Sequence, residues 1–510
     1  MKEKFDAILV RPPEPIIETW YDYAESLGLG YIASYAREQG HSIKIIDAIV
    51  EKKTIEEVVT EVLNINPLIV GFSVFQVAFE NTIIIAKKLR EKGFVGHITL
   101  GGHFPTFSAK EILGNYGGDI DSIVTYEGEI PFSQLIESLK KDNCWETINN
   151  LIFKRDNKII QNPINPLITN LDELPLPARD KFFEAFKVNK TISISASRGC
   201  WNNCSFCTVT AFYDVPRGSR WRGRSVENII NEIEFLQIKY AYNSFTFIDD
   251  NFFGPGTKGV ERVIDFAKRL IEKNLNIDYS IECRVDDVDY EIFSLLKNSG
   301  LKAVFLGIEN GDNNILNRFN KRATVTDNER AIKILESLEL SINAGFILYD
   351  PFINLSELEK NIEFIKKYKI FDLPALLRKL ELRNGMEYRK IIENSGLLIV
   401  EKNVTDYYFK DKSVNNFYKL IQLCLSNFIP SYFLFRELKN KKELSLEASS
   451  FFSDELNQSA IKIFEDLLQE IRLNQDLMEE SKEYIEINNL AKQKGQYLYK
   501  TLKFTSLIKN

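Results

Sequence analysis

Half of the six cysteines in this chain lie in one short stretch, SRGCWNNCSFC, which covers residues 197–207. Three residues separate Cys200 from Cys204, and two residues separate Cys204 from Cys207. Cysteines spaced this closely are typical of sites that bind a metal ion or a metal cluster through thiolates. The remaining cysteines are scattered along the chain, so the sequence shows no disulfide framework and predicts a reducing, cytoplasmic location.

Two kinds of metal site can use these three thiolates. A closed structural zinc site needs four ligands, usually cysteine or histidine. The chain has three histidines, His41, His97 and His103, and all of them lie far from the cysteines in sequence. A cube-shaped iron–sulfur cluster normally takes four thiolates, so three leave one iron open to a ligand from outside the protein. The sequence therefore favours a cluster with one open iron over zinc, and unligated buried thiols are the remaining alternative.

The composition is that of an ordinary folded protein. The chain has 510 residues, of which 44% are hydrophobic and 27% are charged, and this length predicts about three domains. The net charge of −7 disfavours nucleic acid as a partner, because nucleic-acid-binding domains are usually basic. No signal peptide and no membrane span are predicted. One basic stretch, RGSRWRGR at residues 217–224, predicts either a salt-bridged loop or a contact with an anionic ligand.

Residues 1–140 alternate short apolar strands with amphipathic helices. The candidate strands are FDAILV, SIKIIDA, PLIVGFSV, HITLGG and IDSIVTYEGE. This alternation predicts a doubly wound, Rossmann-like parallel sheet, whose ligands bind beyond the carboxyl ends of its strands. Those ends carry Arg11–Pro13, Ser73, Gly101–His103 and Thr125–Glu129. Two adjacent glycines such as Gly101 and Gly102 allow a ligand close to the backbone, although a plain tight turn uses them equally well.

A proline-rich stretch separates this region from a second run of strands. LIFKRDNKIIQ predicts a hairpin that turns at Asp156 and Asn157, and four prolines within residues 163–177 predict a stiff connector. The candidate strands that follow are TISIS, SFTFID, DYSIEC, AVFLGIE, INAGFILYD and a weaker one in ALLRKLEL. Alternating with helices, they predict a partial TIM-type (β/α)6 barrel. The predicted domains are residues 1–145, a hairpin and linker at 146–189, the barrel at 190–385 and a mostly helical region at 386–510.

The cysteine motif, which follows a first strand and has an aromatic residue before its last cysteine, resembles the signature of radical S-adenosylmethionine (radical SAM) enzymes. The resemblance implies that Cys200, Cys204 and Cys207 hold a [4Fe–4S] cluster. It also implies that the open iron binds the amino and carboxylate groups of S-adenosylmethionine (SAM), and that reduction cleaves SAM to a 5′-deoxyadenosyl radical.

Further motifs resemble the SAM-binding strands of that family. FIDDNFFG offers Asp249 or Asp250 to the methionine amino group, IECRVDD offers Arg284 to the carboxylate, and FLGIENG offers Glu309 to the amino group or the ribose. The resemblance places Phe206 near the adenine. The alternative interpretations are helix capping by the two aspartates and surface ion pairs for Arg284 and Glu309.

Residues 1–385 resemble the subgroup of radical SAM enzymes that carries a cobalamin-binding domain. The motifs RPPEP, GLGYIASYAREQGH, VGFSV, LGGHFPT, TYEGE, LDELPLPARD and WRGRS recur in order. The resemblance implies that Ser73, Gly101, Gly102, Thr125 and Gly128 border the cobalamin. Many such domains carry Asp-x-His-x-x-Gly, whose histidine binds cobalt, but this chain has no such motif, so cobalamin is expected without that ligand. A degenerate domain that binds no cobalamin is the alternative.

The function implied by the resemblance is methyl transfer to an unactivated carbon, with SAM, a [4Fe–4S] cluster and cobalamin as cofactors. An external electron donor of flavodoxin or ferredoxin type and a small-molecule or peptide substrate are expected, and the sequence assigns no further catalytic residue. The alternatives are a cobalamin-dependent rearrangement or cyclisation without methyl transfer, and a non-catalytic iron–sulfur or cobalamin-binding protein. In GFILYDPF, Tyr349 and Asp350 either face the substrate or form a turn at the barrel rim.

Overall fold

A computed structural model describes residues 4–14, 24–141, 144–370, 373–401, 404–440 and 443–508. The described chain contains two parallel sheets followed by a mostly helical region. Residues 15–23, which follow the motif RPPEP beyond the first strand and include its last residue, lie outside the described residues. No helix in the described ranges has the length and apolar character that crossing a membrane requires.

Seven strands form the first sheet, in the order β2-β1-β3-β4-β5-β6-β7. The strands are β1 (Ala7–Arg11), β2 (Ile43–Asp47), β3 (Ile69–Ser73), β4 (His97–Gly101), β5 (Ser122–Val124), β6 (Leu151–Arg155) and β7 (Lys158–Gln161). The connecting helices are α1 (Leu27–Glu38), α2 (Ile55–Ile65), α3 (Phe79–Glu91), α4 (His103–Tyr116) and α5 (Glu129–Lys140). The first five strands are parallel, and the strand order reverses between β1 and β3. A ligand of such a sheet binds at this reversal, beyond the carboxyl ends of the strands.

The predicted hairpin forms the edge of this sheet rather than part of the linker. Its turn residues Asp156 and Asn157 both have positive φ, as a two-residue hairpin turn of type I′ requires. β6 pairs antiparallel with β5, so the hairpin extends the parallel sheet by two strands. Ile152 and Phe153 are buried against the sheet core, which explains why the hairpin docks.

Five parallel strands form the second sheet, in the order β8-β11-β12-β13-β14. The strands of this region, with the short antiparallel pair β9 and β10, are β8 (Ile192–Ile194), β9 (Ser197–Arg198), β10 (Arg222–Gly223), β11 (Ser244–Phe247), β12 (Asp278–Arg284), β13 (Leu301–Glu309) and β14 (Ser341–Phe346). Its helices are α6 (Phe182–Asn189), α7 (Thr208–Asp214), α8 (Val226–Tyr240), α9 (Gly256–Glu272), α10 (Tyr290–Asn298), α11 (Asn313–Arg318), α12 (Val325–Ser337) and α13 (Leu355–Tyr368). This is the predicted partial barrel.

The sixth predicted barrel strand, ALLRKLEL, is reduced to a single bridge. Residues Leu373–Leu377 form a 3₁₀ helix, which removes the first part of the predicted strand. One parallel bridge joins Tyr349 to Lys379 beyond it. Pro374 lies inside the 3₁₀ helix and has no backbone N–H to give to a strand ladder, which favours this local structure over a strand.

The region after residue 386 is mostly helical, as predicted, and also contains one small hairpin. Its elements are α14 (Glu387–Asn394), β15 (Leu398–Glu401), β16 (Val404–Tyr407), α15 (Lys412–Ser426), α16 (Ile429–Asn440), α17 (Leu446–Leu473) and α18 (Lys482–Ile508). The buried side chains of these helices, such as Phe417 and Phe464, belong to the same apolar core as the barrel. Burial in one shared core fixes the helices against the barrel rather than leaving them as a tethered appendage.

Buried ion pairs join the first sheet to the barrel at the loop after β5. Glu127 pairs with Arg222 at 2.8 Å and with Arg198 at 3.0 Å, and Arg198 also pairs with Glu129 at 2.6 Å. Arg222 is 3% exposed and Glu127 is 9% exposed, so little water screens this bridge. Arg198 stands directly before the cysteine loop, and the bridge therefore links that loop to the carboxyl end of the first sheet.

Arginines of the basic stretch at residues 217–224 form ion pairs with acidic side chains of the same chain. Arg222 and Arg224 are buried, and Arg224 pairs with Glu232. Arg220 reaches Asp214 at 3.6 Å. These contacts agree with the salt-bridged interpretation of the stretch, and the arginines also tie the segment after α7 to the barrel.

Replacing Glu127 with alanine should destabilise the protein strongly. The change leaves the buried Arg222 without its carboxylate partner, and breaking a buried ion pair in this way costs about 3–5 kcal/mol. The measurement is the midpoint of urea denaturation. Glu56→Ala is the control, because Glu56 is 56% exposed and pairs with surface lysines. Equal midpoints for the two variants would contradict a stabilising bridge between the sheets.

Candidate functional site

The three predicted cluster ligands lie on one tight loop between β9 and α7. The loop begins at Gly199, whose φ is +79° and whose missing side chain leaves room for the carbonyl oxygen of Arg220. A Cβ atom at this position would lie 1.9 Å from that oxygen, so only glycine fits. The Gly199 N–H donates to Asp250 Oδ2 at 3.1 Å, which fixes the start of the loop to the end of β11.

A second segment holds the loop from the other side. The Ser205 N–H donates to the carbonyl oxygen of Phe319 at 2.9 Å, and Asn320 Nδ2 donates to the carbonyl oxygen of Asn203 at 2.7 Å. The carbonyl oxygen of Ser205 accepts the N–H of Tyr388 at 2.9 Å. The loop is therefore positioned by backbone hydrogen bonds from the barrel and from the start of the helical region.

The donor set of the loop fits a cluster with three protein thiolates. Asn202 Nδ2 lies 3.1 Å from Cys204 Sγ, and Arg284 Nη1 lies 3.8 Å from the same sulfur. Donors aimed at sulfur stabilise a thiolate and tune a bound cluster. Burial raises the pKa of Cys207 to about 12, so this thiol binds metal only by losing its proton.

A single-ion site does not match this loop. In the part of the chain that the structure describes, no group of three or more His, Cys, Asp or Glu side chains is arranged to hold one metal ion. A cube-shaped cluster differs, because each of its thiolates binds a different iron atom and the thiols need not converge on one point. Three thiols on one loop therefore suit a [4Fe–4S] cluster with one open iron, which stays a prediction from the sequence.

The two adjacent aspartates after β11 have different surroundings. Asp249 is buried and accepts hydrogen bonds from the Ser197 hydroxyl and from the Ala196 N–H. The Asp250 carboxyl opens instead into the cleft beside the cysteines. Asp250 keeps part of its surface open to solvent, and the protein atoms crowded around its carboxyl raise its pKa to about 6 by desolvation. Of the pair, Asp250 is the one that a ligand in the cleft can contact.

Arg284 and Glu309 occupy the ends of β12 and β13 at the same mouth of the barrel. Arg284 is buried, with Asp286 at 2.8 Å and the ring of Trp201 at 5.3 Å. Glu309 pairs with Lys321 at 2.8 Å and has a φ of +63°, which is uncommon for a residue with a side chain. Such backbone strain occurs often at functional sites. Neither residue is the surface ion-pair partner of the alternative interpretation.

The remaining predicted SAM contact is an aromatic side chain beside the loop. Phe206 is half-buried, and its ring lies 5.0 Å from that of Phe319. The ring forms part of the wall between the cysteine loop and the segment that holds it. A role toward adenine is compatible with this position and stays a prediction.

A cavity of about 440 Å³ connects the two sheets. Four of the predicted cobalamin contacts line it, namely Ser73, Gly101, Gly102 and Gly128. The barrel contributes further lining residues, among them Ser195, Arg198 and Asp250. Thr125 is not among the described lining residues, because its side chain is buried and its hydroxyl donates to the carbonyl oxygen of Asn150 at 2.9 Å.

Two further lining residues, His103 and Phe212, are not among the predicted cobalamin contacts, although His103 belongs to the predicted strand end Gly101–His103. The imidazole of His103 lies parallel to the ring of Phe212, with 4.0 Å between the ring centres. Burial lowers the pKa of His103 to about 4, so this side chain is neutral near pH 7. The motif LGGHFPT contains His103 and could have indicated it. Phe212 lies in α7, and no sequence signal predicts its contact with the first sheet.

The strand end at GFILYDPF does not face the cavity. Asp350 is buried and accepts hydrogen bonds from Arg318 and from the Tyr388 hydroxyl, both at 2.9 Å. Tyr349 is also buried, with its ring against that of Tyr418. Arg318 and Tyr388 flank the segments that hold the cysteine loop. Asp350 therefore supports the cysteine loop indirectly, through Arg318 and Tyr388, which agrees with a structural role at the barrel rim.

Replacing any one of the three loop cysteines with alanine should abolish SAM cleavage. Each change removes one of three thiolates, and the cluster cannot be held by the two that remain. The measurements are iron content after anaerobic reconstitution and 5′-deoxyadenosine formation with a chemical reductant. Cys144→Ala is the control, since Cys144 is exposed and distant in sequence. A loop variant that keeps full cleavage would refute the cluster assignment.

Comparisons with known proteins agree with this geometry. The family model described as Radical SAM superfamily matches residues 194–365, and the model described as B12 binding domain matches residues 14–136. The uncharacterized methyltransferase PH0819 of Pyrococcus horikoshii is 31% identical over 347 residues, which cover 68% of this chain and 73% of that protein. The 4′-phospho-dehydrooxetanocin synthase of Priestia megaterium is 26% identical over 72% of this chain, which spans about half (51%) of that protein's length.

A solved structure has a similar fold over nearly the whole chain. The cobalamin-dependent S-adenosylmethionine radical enzyme OxsB, with aqua-cobalamin and S-adenosylmethionine bound, superposes with a TM-score of 0.78 at 19% identity. The match covers 98% of this chain and 80% of OxsB. This similarity shows the fold, and the two matching family models identify the cofactors as a [4Fe–4S] cluster, SAM and cobalamin. The chain belongs to the radical SAM superfamily, as an enzyme with an N-terminal B12-binding domain.

Proposed function

We propose that this enzyme is a cobalamin-dependent methyltransferase that methylates an unactivated carbon of a small molecule or peptide. The observation that carries the proposal is the shared cavity between the two sheets. Residues at the carboxyl end of the first sheet, such as Gly102, and residues at the mouth of the barrel, such as Asp250, line the same space. A methyl donor held by one sheet can therefore face a radical source held by the other.

The bound cofactors supply the difficult chemistry. When bound, the cluster and SAM would supply radical chemistry at the unactivated carbon, and cobalamin would supply the methyl group. The chain positions these groups and keeps water away from them. The apolar lining of the shared cavity, which includes Phe72, Val74 and Phe212, keeps water away from the bound groups.

We assign a different part of SAM to each of the residues at the barrel mouth. We assign Asp250 to the amino group, because Asp250 lines the cavity whereas Asp249 is committed to hydrogen bonds inside the protein. Arg284 is assigned to the carboxylate, since its guanidinium already lies next to Cys204. Glu309 and Phe206 are assigned to the ribose side and the adenine, in the positions described above.

The backbone around Ser73, Gly101, Gly102 and Gly128 is assigned to cobalamin. Gly102 has a φ of +105° at the start of α4, and its missing side chain leaves the carboxyl end of β4 open. The N-terminus of a helix favours a negatively charged group, such as the phosphate in the cobalamin tail. Thr125 acts indirectly in this assignment, by holding the loop after β5 through its hydrogen bond to Asn150.

The helical region and the external partners complete the proposal. We assign substrate selection to residues 386–510, because α17 contacts both α13 and the 3₁₀ helix at Leu373–Leu377 on the barrel rim.

Cleavage of SAM consumes one electron, so a flavodoxin- or ferredoxin-like donor is required. The free cysteines and the oxygen-sensitive cluster favour a reducing, cytoplasmic location.

A rearrangement or cyclisation without methyl transfer is the second candidate. The similarity to 4′-phospho-dehydrooxetanocin synthase favours it, because that name denotes a synthase rather than a methyltransferase. Both candidates use the same cofactors, and they differ in whether the methyl group ends in the product.

An isotope experiment separates the candidates. The reconstituted enzyme is incubated without oxygen with reductant, cobalamin, a small-molecule extract of the source cells and SAM that carries a deuterated methyl group. We expect 5′-deoxyadenosine together with a stable product that contains the labelled methyl group, as measured by mass spectrometry. Formation of 5′-deoxyadenosine with an altered but unlabelled product would favour rearrangement. Failure to cleave SAM at all would indicate a non-catalytic protein.

A further inference from the structure

The tryptophan of the cysteine loop has a buried hydrogen-bond donor that none of the assigned roles uses. Trp201 directly follows Cys200 and is half-buried. Among the residues that the structure describes, no group accepts the hydrogen of its indole N–H, and the nitrogen is shielded from solvent. Buried donors in folded proteins are nearly always hydrogen-bonded, because an unpaired one loses its bond to water without replacement. The indole N–H therefore indicates an acceptor that the polypeptide does not supply.

Two contacts place this indole beside the thiols of the loop. The centre of its ring lies 5.3 Å from the guanidinium carbon of Arg284. The same guanidinium group reaches Cys204, with Nη1 3.8 Å from Sγ. The backbone is also fixed, because the carbonyl oxygen of Trp201 accepts from Arg220 Nη2 at 3.4 Å. The indole is thus held between Cys200, its neighbour in sequence, and the arginine that contacts Cys204.

The protein acceptors around Arg284 already have donors. The Asp286 carboxylate pairs with Arg284 at 2.8 Å. The carbonyl oxygen of Lys321 accepts from Arg284 Nη2 at 2.8 Å and from Asn202 Nδ2 at 3.1 Å. Asn202 Nδ2 also lies 3.1 Å from Cys204 Sγ. A cluster held by the three cysteines brings further acceptors to this place, since its sulfide and thiolate sulfurs carry negative charge.

We propose that the indole N–H of Trp201 donates a hydrogen bond to a sulfur of the [4Fe–4S] cluster and raises the reduction potential of that cluster. Reduction transfers one electron from the external donor and makes the cluster one charge unit more negative. A hydrogen bond to sulfur stabilises the more negative form, which is why such bonds help to set the potentials of these clusters. The low dielectric of a buried site strengthens this effect. The inference rests on the cluster and is independent of methyl transfer.

This hydrogen bond affects how far a weak electron donor can reduce the cluster. A more negative potential leaves a smaller fraction of the cluster reduced at the same donor potential, so SAM cleavage becomes slower. An excess of a strong chemical reductant removes that limit. The effect of Trp201 on SAM cleavage should therefore depend on the electron donor.

Replacing Trp201 with phenylalanine keeps an aromatic ring against Arg284 and removes the N–H donor. We expect the ratio of reduced to oxidised cluster at a fixed solution potential to fall about 3- to 10-fold, the effect of one hydrogen bond. For a one-electron couple this corresponds to a midpoint potential about 30–60 mV more negative. The measurement is an anaerobic redox titration followed by EPR, without SAM or substrate. Formation of 5′-deoxyadenosine should fall with a flavodoxin-type donor and recover with excess dithionite.

Trp145→Phe is the matched control, because it makes the same change at the amino end of β4. Trp145 packs there against His97 and Phe153. The midpoint potential of this variant should equal that of the wild type. Iron content and cluster absorbance show whether each variant holds its cluster.

A second measurement uses the wild-type protein alone. The chain has four tryptophans, and Trp201 is the one that belongs to the cysteine loop. Protein grown with tryptophan that carries ¹⁵N in the indole ring is reconstituted and reduced, and pulsed EPR of the cluster is recorded. We expect a hyperfine coupling to one ¹⁵N nucleus, as a hydrogen bond from the indole to the cluster requires. This measurement decides the question if Trp201→Phe fails to hold its cluster.

Three results would overturn the inference. The first is an unchanged midpoint potential in Trp201→Phe, and the second is the absence of ¹⁵N coupling in the wild type. The third is weaker SAM binding by the variant at an unchanged potential, because the N–H would then serve the SAM carboxylate beside Arg284. A wild-type protein that holds no iron–sulfur cluster would overturn the cluster assignment as well, so the two failures are distinguishable.

Discussion

The site depends on holding three thiols on a short loop that has little secondary structure of its own. The loop enters through Gly199, whose backbone lies directly under the carbonyl of Arg220, and backbone hydrogen bonds from two other segments hold it afterwards. Those segments are in turn braced by the buried Asp350, with Arg318 and Tyr388. The loop geometry is therefore set by contacts from the barrel and from the start of the helical region, and a cluster held by the three cysteines would take its orientation from them.

The same loop also fixes the relation between the two sheets. Arg198 precedes the loop and pairs with Glu127 and Glu129, which follow β5 of the first sheet. One arginine thus connects the cluster site to the wall of the shared cavity. A buried pair of this kind contributes modest stability but strongly penalises any arrangement that separates its members, so it specifies how the sheets meet.

The sequence predicted most of the secondary-structure elements well, because they depend on local patterns, and the three cysteines that it names as cluster ligands lie together on one loop. Alternating apolar strands, the Asp156-Asn157 turn and the cysteine spacing are each read from a few neighbouring residues. The directions of side chains at strand ends were harder to predict from the sequence. Asp249 and Asp250 are adjacent, and which of them faces inward depends on where β11 stops. Thr125 turned away from the cavity for the same reason. Contacts between distant elements, such as His103 with Phe212, leave no local signal at all.

The single bridge between Tyr349 and Lys379 has a consequence for how this enzyme could change over evolutionary time. A strand inside a full ladder tolerates inserted or replaced residues poorly, because its backbone groups form hydrogen bonds with a neighbouring strand on each side. Between β14 and residues 378–382 the ladder is limited to this bridge, where the Leu380 N–H donates to the carbonyl oxygen of Tyr349 at 2.8 Å, and the buried side chains of Leu380 and Leu382 hold the segment instead. This segment can therefore lengthen or change over evolutionary time with fewer ladder hydrogen bonds lost than in any of the five strands, while the cysteine loop keeps its own supporting contacts.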